Sequence, residues 1–317
     1  MKSRIMSTLL CVLSLFSALA HAQAPTDGLV QNKEIPITVT EVAPGLFFQY
    51  HHQGSNNAWL VTDDGVLVID TRQHPKHAEE LLVAIRKTTD KPIKWVINTH
   101  AHGDHYFGNV VFKREGATFI AHRDTAGMMQ SHLPIEMKRR QGFFKQTGFD
   151  PKEVQLILPD ITFDTTATIT LGGRTVALLY LGPGQNPGDT LVHFPKERVI
   201  FTGGPFSKDS WPNPSFTPSM SNWVVMLRKM AAMDVDKFLG GHGDIGNKQD
   251  VLNQAQMMSD FDAGLRDGVK KGMSREAIFK SEPFAKYKDV RNYFRMNLFI
   301  NSYYHYLTTG KVENAYP

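Results

Sequence analysis

The chain has 317 residues, 41% of them hydrophobic and 21% charged, with 35 basic against 31 acidic side chains and a net charge of +4. This is the balance of a globular protein with a sizeable core, and it excludes a disordered chain, a collagen-like repeat and a disulfide-stapled mini-protein. Length alone allows one large domain or two small ones.

Lys2 and Arg4 open the chain, an apolar run from Ile5 to Leu19 follows, and Ala20-His21-Ala22 closes it with a small-x-small site. That three-part pattern predicts a secretory signal peptide over residues 1–22, because the apolar run is short of the roughly 20 residues that a spanning helix needs. Export to the periplasm or the medium is expected. Cleavage leaves 33 basic against 31 acidic residues, with no basic cluster that argues for nucleic acid and no second run long enough for a membrane span. It also removes Cys11, the only cysteine. The mature chain then has no disulfide, no thiolate ligand and no cysteine nucleophile.

Residues 23–34 read as a polar, flexible lead-in, and β-branched text begins near Ile35. Leu46–Tyr50 follows a Pro44-Gly45 turn; 58–62 and 66–70 flank Asp63-Asp64-Gly65 as a hairpin. Ala78, Leu81, Leu82 and Ile85 predict a helix over Pro75–Lys87, and Trp95–Thr99 reads as a short buried strand. Thr118–Ile120 is a further strand, and 125–158 is helix and loop. Gly172-Gly173 and Pro195–Arg198 each mark a hairpin turn. Ser221 is expected to cap a helix running to Met233, Phe238–Gly240 leads to His242, and the text after Asp250 is helical to Leu307. Sheet-rich blocks with helices between and after them indicate a layered α/β sandwich.

The buried strand ending at Thr99 runs straight into His100-Ala101-His102-Gly103-Asp104-His105. Four imidazole or carboxylate groups in six positions form a ligand set for zinc. His100 and His102, two apart on extended backbone, suit one ion, while Asp104 and His105 turn toward a second position. Two ions about 3.5–4 Å apart are the usual two-metal hydrolase arrangement. Satisfied core histidines are the bland alternative, and grouping with a distant Gly241-His242-Gly243 argues against it. His122 reads as structural, and His51 and His52 are candidates for an entrance lining. Trp211, in a Pro- and Phe-rich stretch after a strand, suits either an apolar wall over the metal or plain packing. The aromatic run from Tyr293 to Tyr306 reads as helical core, with a homodimer interface as its alternative.

With these residues in view, the sequence resembles the metallo-β-lactamase superfamily over about residues 36–250. The resemblance rests on His-x-His-x-Asp-His at 100–105, supported by Asn57–Val61, Val68-Ile69-Asp70, Gly182–Thr190, Phe201–Gly204 and Gly240–Gly243 in order. It implies an α/β fold, the four-layer αββα sandwich, over 35–250, with a helical C-terminal extension over 251–317 packed on the domain. It also implies that His100 and His102 bind a first zinc, and that Asp104, His105 and His242 bind a second. Asp70 would support the histidine loop, since ligating histidines donate their other N–H to such a group; Asn57 and Trp211 are assigned with it to support or face the substrate.

Two positions depart from the family pattern. Gln185 stands where members normally have histidine, as third ligand of the first zinc, and a neutral amide oxygen is a weaker donor than imidazole. Thr202-Gly203-Gly204 stands where many members carry Thr-Gly-Asp, so no carboxylate bridges two ions. Asp104, His105 and His242 still supply three ligands to the second zinc, and in that arrangement the chain is similar to the third lactamase subclass and its non-lactamase relatives. Either Gln185 completes a lopsided dinuclear site, or one Zn2+ sits with Asp104, His105 and His242 and a water; the lost imidazole favours the second. Zinc is preferred over manganese or iron for a histidine-rich site. The expected activity is hydrolysis of an ester, amide or lactam-type bond in a small molecule, with Asp104 and His102 as the catalytic side chains. A non-catalytic member that binds a metal or small molecule in the cell envelope is the competing reading.

Overall fold

The computed structural model describes residues 37–51, 54–213 and 220–311. The expected signal peptide, the expected lead-in and His52 lie outside the described residues.

The first sheet takes its strands in sequence order: β1 (Thr38–Ala43), β2 (Leu46–Tyr50), β3 (Asn57–Thr62), β4 (Gly65–Ile69), β5 (Ile93–Ile97), β6 (Thr118–His122) and β7 (Ile161–Phe163). β1 to β4 pair antiparallel and β4 to β7 parallel, because α1 (Pro75–Arg86) joins β4 to β5 as a crossover. The first metal-type loop follows β5 and carries two short helices, α2 (Gly103–Tyr106) and α3 (Asn109–Arg114). α4 (Arg123–Arg139) and α5 (Gln141–Thr147) lie between β6 and β7.

The second sheet is built from β8 (Thr166–Leu171), β9 (Arg174–Leu179), β10 (Leu191–Phe194), β11 (Val199–Ser207), β12 (Lys237–His242) and β13 (Ile245–Gly246), in spatial order β13-β12-β11-β10-β9-β8. α6 (Met220–Ala231) crosses from β11 to its parallel neighbour β12. Then come α7 (Lys248–Lys270), α8 (Arg275–Lys280) and α9 (Met296–Thr309).

Strand periodicity sorts the side chains into layers. Leu67 and Ile69 of β4 point between the sheets, where they meet Val176, Leu178, Phe201 and Leu239; Val66 and Val68 point outward onto Ala78, Leu81 and Ile85 of α1. The outer face of the second sheet is covered by Trp223 and Leu227 of α6, Met258 and Phe261 of α7 and Phe299 of α9. The result is the αββα sandwich. α7 begins at Lys248, so the boundary drawn at 250 falls inside a helix, and α6, α7 and α9 share one apolar cluster. α6 is helical from Met220, so Ser221 lies within it. Ser221 is therefore not its cap; its hydroxyl donates to Asp262 Oδ2 of α7 at 2.9 Å.

Candidate metal centre

The site collects where β4, β5 and β12 end. β4 delivers Asp70, in a left-handed conformation (φ +59°) that a non-glycine residue holds only when its surroundings require it. The fully buried Asp70 carboxylate supplies the requirement. It accepts from Thr99 N and Thr99 Oγ1, both at 2.8 Å, and meets His105 Nδ1 at 2.6 Å. Asn57 Nδ2 donates to Asp70 O at 2.9 Å from the neighbouring strand. Asn98 and Asn109 exchange amide hydrogen bonds of 3.0 and 2.9 Å, and Asn98 also donates to His105 O. The loop from 98 to 109 is thus closed on itself before any ligand is considered.

With His105 Nδ1 engaged by Asp70, His105 Nε2 faces Asp104 Oδ2 at 3.7 Å and His242 Nε2 at 3.4 Å, and His242 Nε2 stands 3.3 Å from the same Asp104 oxygen. Two ligands of a tetrahedral zinc held at ~2.1 Å stand about 3.4 Å apart, so the three atoms form one face of a zinc polyhedron. His242 reaches them across the sheets: its Nδ1 meets Gly54 O at 3.0 Å, and Asn56 N donates to Gly241 O at 2.7 Å. Its side chain is 32% exposed while His105 is fully buried, so the centre opens to solvent on the His242 side.

His100 Nε2 and His102 Nδ1 converge at 3.1 Å, also the separation of two ligands on one ion. The third donor in this pair's neighbourhood is the oxygen of Gln185, whose place is linked to Gly204. A Cβ added at Gly204 would lie 1.9 Å from Gln185 Oε1 and 3.2 Å from His100 Cε1. Gln185 therefore fills the space that a side chain at 204 would enter, and the two departures from the family pattern are one steric unit. Gln185 Nε2 donates to Asn213 O at 2.5 Å, which fixes the amide.

The electrostatics match ligand roles at His100, His102, His242 and Asp104. Burial, reinforced by neighbouring imidazoles and by Arg139, holds His100 and His102 well below the usual histidine range, and burial brings His242 down to about 4. Neutral imidazoles are the ligating form. Burial also pulls His105 down, but the Asp70 and Asp104 carboxylates outweigh it and leave it raised. Burial would raise Asp104; the Arg140 guanidinium and the surrounding histidines reverse that and keep it ionised.

The remaining sequence candidates fall elsewhere. Trp211 is a correction to the apolar-wall reading: it is fully buried, with its ring against Phe261, Tyr293 and Phe299 at 5.6, 6.2 and 5.9 Å, inside the helical core. His122 is structural, capping α4 by accepting from Asp124 N and meeting Asp164 O at 2.7 Å. His51 is buried, its ring 5.8 Å from His77. Sequence reasoning missed Ser55, whose hydroxyl donates to Asp104 O at 2.5 Å, and the buried Glu136 and Arg140. Only the fold shows that these residues approach the loop.

The fold and this ligand set define a metallohydrolase-type centre between two sheets. The description "Metallo-beta-lactamase superfamily" matches residues 53–242, more than half of the chain, and the protein belongs to that superfamily. The chain is 24% identical over 245 residues to a linear primary-alkylsulfatase of Pseudomonas sp. (strain ATCC 19151), covering 67% of this chain and 46% of that protein. It is 21% identical over 263 residues to a type 2 metallo-β-lactamase of Bacillus sp. (strain 170), covering 77% and 91%. In three dimensions it superposes on a stereoselective inverting sec-alkylsulfatase from Pseudomonas sp. with a TM-score of 0.69 at 16% identity, over 85% of this chain and 50% of that one. The chain spans about half the length of the alkylsulfatases it matches.

Proposed function

We propose that this chain is an exported zinc-dependent hydrolase that opens an ester, amide, lactam or related bond of a small molecule. The observation that carries it is the convergence of Asp104 Oδ2, His105 Nε2 and His242 Nε2 at 3.3–3.7 Å. A zinc ion held there would supply Lewis acidity and lower the pKa of a water ligand to about 7. The chain's own residues do the rest. Asp70 fixes the His105 ring so that Nε2 faces inward, and Asp104 offers one oxygen. In the one-ion reading His100 or His102, left without an ion, serves as the general base. Gln185 and Gly204 support one ion over two, since the first pair gains an amide oxygen in place of an imidazole and no carboxylate. Export rests on the N-terminal charge, apolar run and Ala20-His21-Ala22 site.

The names of the relatives set the first substrates: a chromogenic β-lactam and a linear alkyl sulfate, beside a lactone and a carboxylic ester. Zinc-loaded protein is expected to turn over at least one, with a loss of at least 100-fold in kcat/KM in His102→Ala and Asp104→Ala. No turnover above the His102→Ala background on any of them favours the binding-protein reading instead. Two tightly bound ions per chain by metal analysis overturn the one-ion assignment.

A further inference from the structure

α4 ends beside the metal-type loop and places two side chains there, one turn apart. Glu136 Oε2 accepts from Gly103 N at 2.7 Å, and Arg140, the residue that closes the helix, donates through Nη2 to Asp104 Oδ1 at 2.5 Å. One helix end thus grips both the backbone and the side chain of the Gly103-Asp104 dipeptide. Arg140 Nη1 reaches on to Gln73 Oε1 at 3.2 Å, in the loop that follows Asp70. It therefore ties the loop that holds His105 to the loop that carries it. Glu136 is fully buried, and the Arg140 and Asp104 side chains are only 8% and 9% exposed.

We propose that Arg140, steadied by Glu136, is a positioning residue that makes Asp104 a one-oxygen metal ligand. The guanidinium takes Oδ1, leaving Oδ2 toward His105 and His242. A free buried carboxylate would rotate about its last bond or offer both oxygens; a planar fork fixed at a second point on Gln73 prevents that. Arg139 Nη1 pairs with Glu136 Oε1 at 2.5 Å. Asp104, Glu136, Arg139 and Arg140 together are neutral. Gly103 belongs to the same device: a Cβ there would come 2.7 Å from Arg140 Nε and 2.6 Å from Phe107 Cζ, so the glycine lets the guanidinium reach its place. The proposal rests on the metal-centre reading above.

The test is zinc affinity of the full chain, measured by competition with a chromophoric chelator, with the visible spectrum of the cobalt-substituted protein as second readout. Arg140→Met is expected to bind zinc 10- to 100-fold more weakly, the usual cost of losing a group that orients a ligand, and to show a changed cobalt spectrum. Arg140→Lys keeps a charge and the aliphatic stem but not the fork, and is expected to lose three- to tenfold. In an Asp104→Asn background the Met substitution should change affinity by less than threefold, because the group through which it acts has gone. Unchanged affinity and spectrum in whichever of the two Arg140 variants folds overturns the proposal, as does a full tenfold loss in the Asn background. A parent protein that binds no zinc overturns the metal reading together with it.

Discussion

At the residue scale, Gln185 and Gly204 are the positions where this chain departs from its superfamily, and they are in contact through one volume. An alanine Cβ at 204 would sit 1.9 Å from Gln185 Oε1, and the amide cannot withdraw without Nε2 giving up its bond to Asn213 O. Gly204→Ala is therefore expected to destabilise the metal-free protein by about 1–3 kcal/mol, as overpacking does. In a Gln185→Ala background it should cost much less. Denaturant unfolding of the four proteins gives the coupling, and additive effects would show that the two positions are independent. His100, His102, Asp104 and His105 were legible as candidate ligands from residue type and grouping, and His242 joined them through the resemblance. The coupling of 185 with 204 was not, because positions 19 apart in the chain meet only through the β9–β10 turn and the end of β11.

At the scale of elements, the turn between β9 and β10 that presents Gln185 is organised by a buried acid. Asp189 is fully buried and accepts from Asn186 N at 2.8 Å, and burial pushes its pKa up to about 7. A folded pKa above the unfolded value means that the acid's contribution to stability is complete below about pH 4 and is lost as pH rises toward 7. Asp189→Asn should remove that slope, so that the variant's Tm gains on the parent's between pH 4 and 7 and runs parallel above it. Parallel curves through the whole range would show that the carboxyl does not titrate there. Helices tell a related story. Periodicity located α1 and α6, since each presents an apolar stripe to a sheet. It could not give meaning to Glu136 and Arg140, which reach Gly103 and Asp104, 33 and 36 residues earlier in the chain.

For the whole molecule, the centre joins the two sheets: β4 and β5 bring Asp70 and His105 from one, and β12 brings His242 from the other. A ligand gripping both should stabilise the entire domain. At a free zinc concentration 100 times Kd the gain is ~2.7 kcal/mol, and Tm should rise on the order of 5 to 10 °C. Chelation should reverse the shift, and Asp104→Asn should shrink it; a Tm indifferent to zinc in the parent would separate this centre from the stability of the fold. The sequence by itself determined the layered sandwich, because strand and helix periods are local properties of the chain. It also determined the ligand types, because four of the five candidate ligands lie within six positions at one strand end. The tertiary structure alone decided that Trp211 belongs to the helical core. It decided too that Gln185 occupies the room above Gly204, and that Arg140 rather than solvent faces Asp104. Burial and orientation at these positions depend on partners tens of residues away, and only the packed sheets and helices bring those partners within reach.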